Sequence, residues 1–310
     1  MADSLQKSIL FTIAYFSSYK YPLTTFELWR HLIERGKQND FISYGQIIKA
    51  LKQEPLVSKI QMKDGFVTLK NEAHLVDEHL AKSKLSLVNI IAMKKWARIF
   101  LWLPYVRGVF VTGTLSMKNA SSESDWDILL VLAKNRIWVG RLLVSGTLHI
   151  FGKRRHGEKV KRRFCLNHYL ASNGLILDEH NEFCANFVTF SAPIFGESYH
   201  RKYLALNEHW IRSFNPNYTK DEVPNETLLV KSDTIAQLRS GLEWLFELFG
   251  IGAMLNKVSK KYMTKKIQEN PATHQKDADI RYSDVALIFL PKPHRIEMFE
   301  KTIEKLTKGV

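Results

Sequence analysis

Asp125 and Asp127 are separated by one residue and open the apolar run Ile128-Leu-Leu-Val-Leu. Alternate side chains on a strand project from the same face, so this spacing lets both carboxylates converge on one cation. Such a pair of hard oxygen ligands suits Mg²⁺, or Mn²⁺ in its place, which is commonly held by one or two carboxylates together with substrate phosphates. Upstream, the apolar run Val106-Arg-Gly-Val-Phe-Val-Thr stops at Gly113-Thr114, and a polar stretch from Ser116 to Ser124 leads to the acids. Gly113 lets the backbone come close to a phosphate. Thr114 adds a hydroxyl and an amide at the start of a short helix, where the dipole favours anions. Asp-x-Asp alone is also what a solvated turn entering a strand looks like; the Gly-Thr turn between two apolar strands favours the chemical reading.

Residues 109–131 resemble the motif of the polymerase-beta-like nucleotidyltransferase superfamily: a Gly-Ser turn, a short spacer, then Asp-x-Asp on a strand, here Gly113-Thr114 and Ser124-Asp125-Trp126-Asp127. The resemblance covers roughly residues 85–150, and the whole arrangement is similar to bacterial proteins with a winged helix in front of such a domain. It implies transfer of a nucleoside monophosphate from an NTP to an acceptor hydroxyl of nucleic acid, protein or a small molecule, with release of pyrophosphate. Asp125 and Asp127 are then the catalytic ligands of two Mg²⁺ ions, and Gly113, Thr114 and Ser124 line the nucleotide.

The chain departs from the pattern in two places. Thr114 replaces the usual Ser and keeps the hydroxyl. The third carboxylate that active members carry on a neighbouring strand is missing from Arg163-Phe-Cys-Leu-Asn-His-Tyr-Leu, where Asn167 stands in its place. Asp178 and Glu179 are the best substitutes and Glu158 a poorer one. If none reaches the site, the implied alternative is a catalytically degenerate nucleotide-binding module coupled to a winged-helix DNA-binding regulator.

Lys153-Arg-Arg-His-Gly-Glu-Lys-Val-Lys-Arg-Arg carries seven Lys or Arg against one Glu, immediately before the strand expected to border the site. Lys153, Arg154 and Arg155 are assigned to the triphosphate or to an RNA or DNA acceptor, since Arg and Lys contact phosphate without reading sequence; the bland counterpart is a solvated basic loop. Lys257, Lys260, Lys261, Lys265 and Lys266 form a second cluster, equally an acceptor contact or a charged outer face. His149, His168 and His180 match no ligand spacing and read as ordinary histidines, and Cys165 and Cys184 read as packing residues. Ser145 and Ser191 lack a nucleophile-elbow context. Leu238 to Leu255, rich in Leu, Phe and Trp at helical spacing, reads as core or as a subunit interface, which admits a homodimer.

The elements that must position these groups belong to an α/β (α+β) chain of 310 residues, 45% hydrophobic and 12% aromatic, long enough for two domains or three small ones. Residues 1–75 predict a winged-helix domain. A first helix ends before Tyr21-Pro22, a second is capped by Thr24 or Thr25 with Glu27 and runs through Ile33, and Ser43 caps a third. Val57–Met62 and Phe66–Leu69 then pair around Asp64-Gly65. In a DNA-binding version Gln46, Lys49 and Lys52 of the third helix and Lys63 of the ribbon make the contacts, although ten basic against seven acidic residues is a modest phosphate footprint. Residues 76–200 predict the nucleotidyltransferase-like domain, a mixed sheet with helices that opens on a long helix over 76–103. Residues 201–310 predict a helical region.

A net charge of +14 points to a nucleic-acid surface or to an anionic ligand or membrane. Two cysteines exclude a disulfide-stapled secreted scaffold and any Cys-rich zinc module. The start lacks the order of a signal peptide, and no run of ~18 uncharged apolar residues occurs, since Gly241–Leu255 contains Glu243 and Glu247. The expectation is a cytoplasmic protein with no membrane span.

Overall fold

The computed structural model describes residues 2–34, 41–220, 229–276, 278–290 and 294–308. The N-terminal unit begins with α1 (Ala2–Ser18), whose Ile9, Ile13, Ala14 and Phe16 are fully buried. After β1 (Leu23–Thr24) come α2 (Thr25–Arg30) and α3 (Tyr44–Ala50), each opened by a complete capping box. Thr24 Oγ1 accepts from Glu27 N while Glu27 accepts from Thr24 N, and Ser43 and Gln46 do the same for α3. A short turn, α4 (Leu56–Lys59), leads to β2 (Ile60–Lys63) and β3 (Phe66–Leu69). These strands pair antiparallel around Asp64-Gly65, both at positive φ as the tight hairpin requires. The sheet order β1-β3-β2 completes the expected winged-helix arrangement. Two bounds differ from expectation. The second helix stops at Arg30 instead of Ile33, and Val57 lies in a helical turn because Leu56 is drawn into the core.

The long helix α5 (His74–Ala97) follows, continued by a 3-10 turn over Arg98–Leu101. The central unit then runs β4 (Val106–Val111), α6 (Gly113–Ser116), β5 (Trp126–Leu132), α7 (Ile137–Ile150), β6 (Phe164–Ala171), α8 (Glu182–Thr189), β7 (Ala192–Phe195) and α9 (Glu197–Ile211). Next come α10 (Asp233–Leu248), α11 (Ile251–Glu269), β8 (Asp279–Tyr282), β9 (Ala286–Leu290) and α12 (His294–Lys308). The fold is α+β with a mixed six-stranded sheet in the order β7-β4-β5-β6-β9-β8; β5 and β6 are parallel and the other pairs antiparallel. Both faces of β5 are covered, as its unbroken apolar run demands. Trp126, Ile128, Leu130 and Leu132 pack with Met93, Trp138 and Met263 on one side, while Leu129 and Val131 pack with Val188 and Tyr203 on the other.

Residues 201–310 are not wholly helical. Ala286-Leu-Ile-Phe-Leu pairs with β6 and carries β8 with it, so a segment expected to be helical extends the sheet of the central unit. Asn207 to Ile211 form the last part of α9. The C-terminal α12 packs back on α1, where the Ser18 and Thr302 hydroxyls lie 3.2 Å apart and Lys305 pairs with Glu72. No helix among the described residues is long and apolar enough to cross a membrane.

Candidate functional site

The β4–α6–β5 unit builds the site. Thr112 N donates to Asp127 O at 3.0 Å, which locks the end of β4 to the start of β5. The chain then turns at Gly113, whose φ of +64° is the left-handed region that favours glycine. A Cβ at Gly113 would stand 2.6 Å from Asp127 Oδ2, so glycine is needed for space as well as for φ. Asp125, just before β5, and Asp127, its second residue, converge as the spacing required. Each offers a ligand oxygen, and the two carboxylates and the thiol of Cys165 lie within 4.8 Å of one another, the one such group among the described residues. Thr114 is exposed at the mouth of the cleft. The helix it opens is a single turn, so its dipole is small and the expected anion stabilisation there falls to the hydroxyl and local amides.

Cys165 faces the acids because β5 and β6 run parallel with Asp127 opposite Cys165. Burial first, then the charges of Asp127 and Asp125, push its thiol up, which favours the neutral form, and a soft thiol suits a hard cation poorly. Between the Asp127–Cys165 and Leu129–His168 pairs one residue of β5, Ile128, faces two of β6, Leu166 and Asn167, a bulge that sets Asn167 in the cleft wall.

The basic run divides. Arg155 N donates to Phe164 O and Phe164 N to Lys153 O, at 2.9 and 2.8 Å, so Lys153 to Arg155 lie along the start of β6. Arg155 Nη1 donates to Asp125 Oδ2 at 2.6 Å and reaches Cys165 Sγ at 3.3 Å. Arg154 also lines the cleft. Lys153 does not: its ammonium stands over the Trp96 ring, 4.5 Å from the centroid, where burial and then Arg163 and Arg162 pull its pKa down. Lys161, Arg162 and Arg163 are engaged locally by Glu123, Asn89 Oδ1 and Gly152 O.

Three further expectations are corrected. Ser124 Oγ accepts from Ser121 N at 2.9 Å in a local turn and does not line the cleft. None of the proposed third carboxylates reaches the pair. Glu179 binds Arg281, Asp178 and Glu158 are exposed, and all three lie outside the cleft lining. On the winged helix, Gln46 closes the α3 capping box and Lys63 pairs with Asp77 at 2.6 Å, so neither side chain is uncommitted; Lys49 and Lys52 are exposed.

The cleft holds about 1900 Å³ and draws on elements far apart in sequence. Tyr15, Phe16, Tyr19 and Lys20 of α1 and the following turn face it, as do Phe183 and Phe187 of α8, Arg141 of α7, and Lys266 of α11. Arg141 is half-buried, its guanidinium over the Phe289 ring at 4.1 Å. His168 also lines it, packed on Phe187 with ring centroids 4.7 Å apart, and burial lowers its pKa to about 4. Sequence reading missed Cys165, Arg141 and the α1 wall. Only strand register and helix docking bring them to the acids, and neither leaves a local pattern.

Compared with known proteins, the chain matches no family model, no curated protein and no solved structure.

Proposed function

We propose that the cleft at Asp125 and Asp127 binds a nucleoside triphosphate through Mg²⁺ or Mn²⁺ and transfers its nucleoside monophosphate to an acceptor hydroxyl, in the manner of polymerase-beta-like nucleotidyltransferases. The observation that carries this reading is the convergence of the two carboxylates against a glycine turn with no room for a side chain. The donor set fits the ion: two hard oxygens, no histidine, and a neutral thiol. When bound there, the ion supplies charge neutralisation at the phosphates and activation of the acceptor hydroxyl.

The protein's own residues do the rest. Asp125 and Asp127 fix where the α-phosphate reacts, the Gly113 backbone comes close to the phosphates, and the Thr114 hydroxyl donates to them. Arg154 and Arg155 balance the charge of the triphosphate and the departing pyrophosphate, with Arg155 leaving Asp125 as it does so. The aromatic walls from α1 and α8 keep the base side of the cleft apolar. Cys165 and Cys184 form no disulfide, as a reducing, cytoplasmic setting favours. DNA, through exposed Lys49 of α3 and Lys52 of the turn after it, or an RNA acceptor is the proposed nucleic-acid partner.

One observation favours the second reading, a nucleotide-binding module that reports without turnover. The first helix of the winged-helix unit is itself a wall of the cleft, so an occupant touches the regulator directly. Label transfer from α-phosphate-labelled NTPs, with Mg²⁺ or Mn²⁺, to a mixed pool of tRNA, DNA and protein separates the two. Transfer abolished in Asp125→Asn/Asp127→Asn establishes the enzyme. Metal-dependent NTP binding without transfer selects the sensor, and NTP binding that survives Asp127→Asn unchanged rejects the site.

A further inference from the structure

The helix α10 is inside out. Its charged side chains after Asp233 turn toward the body of the protein. Glu243 accepts from Tyr105 N at 2.7 Å and from Arg107 at 2.6 and 3.0 Å, Arg239 lies over the Phe195 ring, and Glu247 pairs with Arg136. Ile235 and Phe246 pack inward with them, but most of its large apolar side chains, with the adjoining Phe249, face out: Leu238, Leu242, Trp244, Leu245, Leu248 and Phe249 are each 40% to 68% exposed. The chain turns at Gly250, and α11 adds exposed Met254, Leu255 and Val258 to the same hairpin, with Lys257 and Lys261 beside them. A helix that satisfies its charges inward and leaves Leu, Trp and Phe in water is shaped for a partner.

We propose that the outer face of α10 and α11 pairs with the same face of a second copy of this chain, making a two-fold dimer with a four-helix contact. The spacing supports a twin over an unrelated protein. Leu238, Leu242, Leu245 and Phe249 are separated by four, three and four residues, the alternation of a coiled-coil seam, and this order reads the same in either direction. Two α10 helices laid antiparallel set Leu238 against Phe249 of the second copy and Leu242 against its Leu245, the self-complementary pairing that a two-fold axis demands. The area is also sufficient. Nine apolar side chains at these exposures offer on the order of 900 Å² per copy, against about 800 Å² per partner in a standard stable interface. Their composition matches the charge-depleted, Trp- and Met-containing centre of such interfaces, with lysines at the rim.

Sedimentation of the full chain tests this: the expected mass is twice 36.0 kDa. Leu242→Glu/Leu245→Glu places two unpaired carboxylates per copy in the seam and weakens the dimer at least about 100-fold, with an unchanged far-UV circular dichroism spectrum. Oxidative cross-linking checks the register independently of that variant. Leu238→Cys/Phe249→Cys forms a covalent dimer, and Leu238→Cys alone gives only the background of the native thiols. A monomeric chain, a dimer indifferent to the glutamates, or cross-linking by Leu238→Cys alone each overturns the proposal.

Discussion

Replacing Gly113 by alanine tests the site where backbone and chemistry meet. Two effects follow from the geometry. At φ +64° an alanine is in the left-handed region, which costs about 1–2 kcal/mol of fold stability. The added Cβ also stands 2.6 Å from Asp127 Oδ2 and 3.3 Å from its Cβ and Cγ. An ordinary contact is longer, so the carboxylate must retreat by roughly 0.7 Å, well beyond the ±0.2 Å that metal–ligand distances tolerate. Urea unfolding of Gly113→Ala should therefore show a loss of about 1–2 kcal/mol, while titration with Mn²⁺ and NTP shows affinity at least tenfold weaker. Gly146→Ala is the control. It lies in α7 on the wall of the same cleft, its Cβ meets nothing within 4 Å, and alanine there should stabilise the helix by about 0.5–1 kcal/mol without touching affinity. Wild-type affinity in a destabilised Gly113→Ala would refute the link between the turn and the acids, and wild-type stability would refute the backbone argument as well.

Three more outcomes follow. Arg155→Ala should split two affinities: Mn²⁺ alone binds a few-fold tighter, because Asp125 loses a competing cation, whereas NTP with the ion binds weaker, and parallel changes in both would contradict that role. Burial holds His31 at about 3 and His200 at about 4, against the ordinary 6.5. The unfolded chain therefore binds the extra protons between these values, and stability falls as pH drops below 6.5, by up to about 1.4 kcal/mol per pH unit for each histidine. A urea midpoint that stays constant from pH 7 to pH 5 would speak against this burial. Lys49→Ala/Lys52→Ala should weaken DNA binding uniformly across sequences and reduce its salt dependence; unchanged affinity would remove α3 from the contact.

Local chemistry was legible in the sequence because it acts over a few residues. Thr24 with Glu27 and Ser43 with Gln46 announce helix starts, Asp64-Gly65 announces a hairpin, and the two-residue spacing of Asp125 and Asp127 on an apolar run aims them to one side. The Gly113 turn was readable for the same reason. The rest depends on partners remote in the chain. Cys165 meets the acids only through the parallel register of β5 and β6, and Lys153 leaves them for Trp96 because α5 packs beside the start of β6. The four residues of β8 and the five of β9 carry too little pattern to be strands until the open edge of β6 receives them. Likewise, the periodicity of Leu238 to Phe249 marks an amphipathic helix, but not which face turns inward. Arg107, Tyr105 and Arg136 decide that, because Glu243 and Glu247 bind them and send the apolar face outward. Side-chain spacing is a property of the chain, whereas the surface each side chain meets is a property of the packing.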